Sequence, residues 1–232
     1  MRLQPLRPAN GTDPTCDMQA TDSEQLVNAL ARADSSSPFL RMQGERWPAV
    51  RASLAAGRLS QALENAMECG AGAANVAGAL RRRRSALALA LGIGDLAGLL
   101  GLDDVVGALS DFADQALQQA LEAVVAARTP GEEPRGFAVI ALGKLGTREL
   151  NYSSDVDLLY LYDPAVLPRR AREEPAQAGV RIGQALTDLI QKRDGEGYVF
   201  RVDLRLRPSP EVTPIALPVE EVSVTVWREP ED

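Results

Sequence analysis

The chain has 232 residues, enough for one large domain or two small ones, and its 45% hydrophobic and 25% charged content fits an ordinary globular protein. Twenty-five basic against 32 acidic residues leave a net charge of −7, and only 4% of residues are aromatic. That balance supplies neither the positive field nor the stacking rings of a nucleic-acid surface, and the absence of histidine excludes His triads and His-liganded zinc.

Residues 1–20 are rich in Pro, Gly, Asn and Asp and are expected to form a flexible arm. The arm has no apolar core of the signal-peptide kind, so the cytoplasm is the expected compartment. From Thr21 the pattern becomes helical, with Leu26, Ala29, Leu30 and Ala33 at helical spacing until Ser35-Ser36-Ser37-Pro38 ends the element. Further helical tracts are predicted over Pro48–Glu68, Ala73–Leu91 and Asp103–Ala127. Cys16 and Cys69 have no partner pattern for a disulfide framework or a zinc site. The run Arg81–Arg84 suggests a phosphate patch, but its acidic surroundings favour a solvated helix face or turn. The most apolar stretch, Ser85–Leu102, contains Asp95 and four glycines and is not a membrane span. Gly92-Ile93-Gly94 follows a helix, so it is no dinucleotide fingerprint.

Thr129–Pro134 is a breaker-rich linker between a helical region, 21–128, and a second domain, 135–232. Beyond it, Gly136–Leu142 and Val156–Tyr162 are predicted strands, Ala176–Lys192 a helix carrying Val180, Gly183, Leu186, Leu189 and Ile190, and Tyr198–Arg207 a third, alternating strand. Helices first, then strands around one helix, point to a helical domain leading an α/β or α+β domain of catalytic type.

The chemistry concentrates in this second domain. Asp155 and Asp157, two positions apart at a strand start, lie on one face with α-carbons roughly 6.5–7 Å apart. Two carboxylates at that spacing can share divalent cations through hard oxygen ligands, although Asp at a strand start can equally face water. Gly143-Lys144-Leu145-Gly146 precedes them, directly after a strand, and Ser153-Ser154 follows. Glycines there let backbone N–H groups approach phosphate oxygens, and the serine hydroxyls add donors. Lys144 is one of two lysines against 23 arginines. Asp203 offers a third carboxylate, on a polar strand face shared with Arg201, Arg205 and Arg207.

The strings VIALGKLGTRELNYSSDVDLLYLY (139–162) and VFRVDLRLRP (199–208) closely resemble the glutamine synthetase adenylyltransferase/adenylyl-removing enzyme family. That family is similar to the polymerase-β-like nucleotidyltransferases, and the resemblance covers roughly 80–215. It implies an α+β fold: a helical region followed by a nucleotidyltransferase domain with a small mixed sheet. It implies Mg²⁺ or Mn²⁺ held by Asp155, Asp157 and Asp203, with nucleotide and phosphate contacts from Gly143, Lys144, Gly146, Ser153, Ser154, Arg205 and Arg207. Glu149 and Asn151 brace the loop in this reading. The partners implied are glutamine synthetase, ADP or ATP, and phosphate, with neither nucleic acid nor membrane.

Family enzymes carry two nucleotidyltransferase halves, one attaching AMP to a tyrosine of glutamine synthetase and one removing it by phosphorolysis with release of ADP. E-L-N-Y-S-S-D-V-D-L behind a helical region looks like the amino-terminal, adenylyl-removing half. The expected chain is truncated, with the nucleotidyltransferase domain incomplete at its C-terminus. The competing readings are an inactive or binding-only fragment and a nucleotidyltransferase acting on another substrate.

Overall fold

A computed structural model describes residues 16–207 and 210–221. The fold is α+β, with eight α-helices and one four-stranded mixed sheet among those residues. The chain divides into two compact units. The first holds residues up to Phe112 together with Arg148–Ser153 and Asp194–Val199, and the second holds the remainder. No helix among the described residues is long and apolar enough to cross a membrane.

The first unit contains α1 (Cys16–Ser36), α2 (Pro38–Arg46), α3 (Pro48–Ala55), α4 (Leu59–Glu68), α5 (Val76–Leu96) and the start of α6 (Leu102–Arg128). Helix α1 begins at Cys16, inside the segment expected to be an arm; residues 1–15 lie outside the described part. Leu26, Ala29, Leu30 and Ala33 are buried, as their spacing predicts. Ser37-Pro38 does more than end α1. The Ser37 hydroxyl accepts a hydrogen bond from the Leu40 N–H at 3.3 Å and Pro38 occupies the first turn, so the pair also starts α2, which the periodicity did not reveal.

The predicted tract Pro48–Glu68 is two helices. Gly57 at φ +72° ends α3, and a β-carbon there would fall 2.2 Å from the Ser23 hydroxyl. The arginine run is not a solvated face. It lies within α5, where Arg81 is only 5% exposed and paired with Asp194. Gly92-Ile93-Gly94 also lies inside α5, which continues to Leu96.

The second unit is built around β2 (Val156–Tyr162), whose Val156, Leu158, Tyr160 and Tyr162 are buried while the intervening residues are half-buried. On one edge β1 (Phe137–Leu142) pairs antiparallel, from Phe137 against Tyr162 to Leu142 against Asp157. Two short parallel strands share the other edge. They are β3 (Val202–Asp203), opposite Val156 and Asp157, and β4 (Ala216–Pro218), opposite Tyr160–Tyr162. The long strand predicted over Tyr198–Arg207 is therefore reduced to two residues. Its alternation is real, but the Asp203 carboxylate accepts the Arg205 N–H at 2.8 Å and turns the backbone away from β2. The chain regains that edge only at Ala216.

Between the parallel strands, α8 (Pro175–Gln191) buries Ala178, Gly179, Ile182, Gly183, Leu186 and Ile190. Val180 and Leu189, predicted on the core stripe, are only half-buried. Gly179 and Gly183 let the helix approach the buried rings of β2. A β-carbon on Gly179 would sit 2.6 Å from Tyr162 Cδ1, and one on Gly183 3.0 Å from Tyr160 Cδ2. Neither ring has free space, since both tyrosines are buried. Gly179→Ala is therefore expected to cost about 1–3 kcal/mol by overpacking, measured as a lowered urea midpoint. An unchanged midpoint would show that the helix can lift without loss.

Candidate active site

Leu142, Asp157 and Asp203 form one row across β1, β2 and β3. Register partners on parallel strands project to the same face about 4.8 Å apart, so Asp157 and Asp203 stand side by side. The chain turns out of β1 at Gly143, next to Leu142, with φ +53°. A β-carbon on Gly143 would lie 2.5 Å from Asp157 Oδ2. The loop backbone is thus laid directly against a carboxylate, and only glycine permits that approach. Gly143–Gly146 forms the single-turn helix α7, with Leu145 buried beneath it and Lys144 exposed. Gly146 has a packing reason of its own, since its β-carbon would fall 2.7 Å from the Ala141 carbonyl oxygen.

Like charges in register repel, and arginines compensate. Arg201 donates from Nε to Asp155 Oδ1. Arg205 donates from Nε to Asp203 Oδ2 at 2.9 Å and from Nη2 at 2.5 Å. The Arg205 side chain and its backbone N–H together hold the Asp203 carboxyl below its usual value, against a smaller opposing effect of burial. The Asp203 carboxylate in turn raises Arg205, and the charges of Asp155 and Asp157 add to that effect. One guanidinium therefore senses all three carboxylates.

Both ion pairs are open to water on the arginine side, with Arg205 84% exposed and Arg201 55%. Such solvent-exposed pairs are weak, so a stronger cation can displace them. Among the described residues no group of three or more acidic, cysteine or histidine side chains is gathered closely enough to hold a metal ion. Asp155 and Asp203 are turned to their arginines instead. By type the donor set still suits a hard divalent cation: carboxylate oxygens only, two of them in register on one face.

The remaining expected residues divide. Ser154 is half-buried and belongs to the second unit with the aspartates, whereas Ser153 belongs to the first. The Ser153 N–H donates to the Asn151 side-chain oxygen at 3.2 Å, consistent with Asn151 as a loop brace. The Arg207 guanidinium donates to the carbonyls of Leu204 and Pro210, both at 2.6 Å, and of Thr213 at 3.4 Å. It ties together the loop that separates β3 from β4. Strand alternation by itself places Arg201 only on a face with Asp203. Its role as the partner of Asp155 depends on the pairing of β2 with β3, where Arg201 O also accepts the Val156 N–H at 2.9 Å.

A sequence model of the glutamate-ammonia ligase adenylyltransferase family matches residues 20–224. Among curated proteins, a bifunctional glutamine synthetase adenylyltransferase/adenylyl-removing enzyme of Rhizobium meliloti is 36% identical, over 91% of this chain and 24% of its own length. Proteins of the same name from Caulobacter vibrioides and Xanthobacter autotrophicus are 43% and 45% identical, over 61% and 62% of this chain and 15% and 16% of theirs. The chain thus spans about a quarter or less of the length of these relatives. With a match over nearly its whole length, the chain belongs to the glutamate-ammonia ligase adenylyltransferase family.

Proposed function

We propose that this chain is a nucleotidyltransferase unit that removes AMP from adenylyl-tyrosine of glutamine synthetase by phosphorolysis, releasing ADP. The observation that carries the reading is the register of Asp157 with Asp203, beside a glycine turn that touches the Asp157 carboxylate. The relatives' names supply the substrate. E-L-N-Y-S-S-D-V-D-L, at residues 149–158, supports the adenylyl-removing direction by its resemblance to that half.

In this reading Asp155, Asp157 and Asp203 would hold Mg²⁺ or Mn²⁺, which supplies charge neutralisation at the phosphorus and at the departing oxygen. A phosphate oxygen forms the new bond to the AMP phosphorus, the bond from phosphorus to the tyrosine oxygen breaks, and the freed phenolate takes a proton. Lys144, exposed and next to the Gly143 turn that lies against Asp157, and Arg205, exposed and paired with Asp203, are assigned to balance phosphate charge. Gly143, Gly146 and Ser154 border the phosphates through backbone and hydroxyl donors, with Ser153 as a further donor. Arg207 supports them by holding its loop.

The test is incubation of the chain with adenylylated glutamine synthetase and Mg²⁺, with phosphate present or omitted, and separately with unmodified glutamine synthetase and ATP. Phosphate-dependent ADP release without AMP incorporation is expected. Phosphate-independent release, or AMP incorporation alone, would overturn the assignment, and silence in both assays would favour a binding-only fragment.

A further inference from the structure

Four successive arginines cannot share one face of a helix, because residues 81–84 sweep through about 300°. Three of them have defined partners within the first unit, on the segments Asp194–Val199 and Arg148–Ser153. Arg81 Nη1 donates to Asp194 Oδ2 at 2.6 Å, and Arg82 Nε to Glu196 Oε1 at 2.8 Å. Arg84 Nη2 donates to the Tyr152 carbonyl at 3.0 Å, and its guanidinium lies 5.6 Å from the centre of the Tyr198 ring.

The first segment, Asp194–Val199, begins with a tight turn. Asp194 and Gly197 exchange both backbone hydrogen bonds at 3.0 Å, and the Asp194 side chain accepts the Glu196 N–H at 2.8 Å. The turn thus presents its two acidic side chains to Arg81 and Arg82. The second segment, Arg148–Ser153, is held at three points. Arg148, at φ +61°, pairs with Asp111 at 2.5 Å; the Leu150 N–H donates to the buried Ser110 hydroxyl at 3.3 Å; and Arg84 takes the Tyr152 carbonyl.

Both segments continue by covalent chain into the carboxylates. Ser153 is followed by Ser154, Asp155 and Asp157, and Val199 by Phe200, Arg201 and Asp203. Burying Arg81 for an ion pair is a poor route to stability, since desolvation offsets most of the attraction. The pairing makes sense as a means of fixing position. We infer that Arg81, Arg82 and Arg84 are positioning residues, which clasp the two chain segments that continue into Asp155 and Asp203. The inference rests on the proposed reaction for its functional meaning, while the anchoring is measurable without turnover.

The test uses Arg82 and Glu196, 33% and 29% exposed, because a change there leaves the core intact. Arg82→Glu, Glu196→Arg and the combined swap are compared by native-state hydrogen exchange and by phosphorolysis. The reporter amides are Phe200, which donates to Ile190 O at 3.2 Å, and Val156, which donates to Arg201 O. Leu159 and Leu161, in register with β1, serve as controls. Arg82→Glu is expected to speed exchange at Phe200 and Val156 about tenfold with the controls unchanged, to lower kcat with KM unaltered, and to be rescued by the swap. Unchanged exchange at both reporters in the folded variant, or a swap that fails to restore it, would overturn the inference. If the unmodified chain shows no phosphorolysis, the exchange result still decides the anchoring and the proposed reaction alone fails.

Discussion

Asp157→Asn is expected to reduce metal-dependent turnover by about 10³-fold or more while leaving the fold in place. In the proposed reaction the loss follows from removing one of two in-register carboxylates that would hold the cation. The fold survives because Asp157 stands beside Asp203, and neutralising one of two adjacent like charges relieves repulsion. Turnover and Mn²⁺ affinity should fall together, with Tm in metal-free buffer unchanged or slightly raised. Asp203→Asn should likewise lose turnover and keep the fold, since the ion pair it weakens is open to water on the Arg205 side. Full turnover in the variant would overturn the role of Asp157 in the reaction, and a loss of Tm in metal-free buffer as sharp as the loss of activity would show that Asp157 serves the fold.

The largest loss of stability is expected at Glu173, between Asp157 and Asp203 in the chain. This side chain, 4% exposed, accepts from Arg128 Nη2 at 2.8 Å, from Arg181 Nη1 at 2.6 Å and from the Arg170 N–H at 3.1 Å. It joins the last turn of α6 to the chain entering α8. Burial alone would raise its pKa, but these three donors outweigh it and hold the carboxyl below its usual 4.5. A depressed carboxyl stabilises the folded state fully above the unfolded value, and that contribution is lost as pH falls through the folded one. Stability should therefore be flat above about pH 5 and decline below it.

Glu173→Ala removes the acceptor and leaves Arg128, 14% exposed, without its carboxylate, at a cost of about 3 kcal/mol. Glu173→Gln should cost less and flatten the acid limb. Arg181→Gln should cost under about 1 kcal/mol, because Arg181 is 54% exposed. Urea titrations of the three variants from pH 3 to 7 check the order. An unchanged acid limb in Glu173→Gln would assign the acid sensitivity to other carboxylates.

Periodicity and short-range chemistry were enough, from the sequence alone, for the helical stripe of α1 and the bounds of β2. These depend on neighbours one to four residues away, and such spacing is written in the chain. The motif around Asp155, Asp157 and Asp203 was legible for the same reason, and the family follows from it. Tertiary structure decided what alternation cannot express. Val202–Asp203 pairs with β2 for only two residues because the Asp203 side chain captures the next turn. Arg207, which alternates like Arg201 and Arg205, is drawn to three carbonyls of its own loop. The arginine run of α5 likewise looks solvated when judged by its neighbours in sequence. Its partners Asp194 and Glu196 lie more than a hundred positions away, and only folding brings such charges close enough for Coulomb attraction to matter.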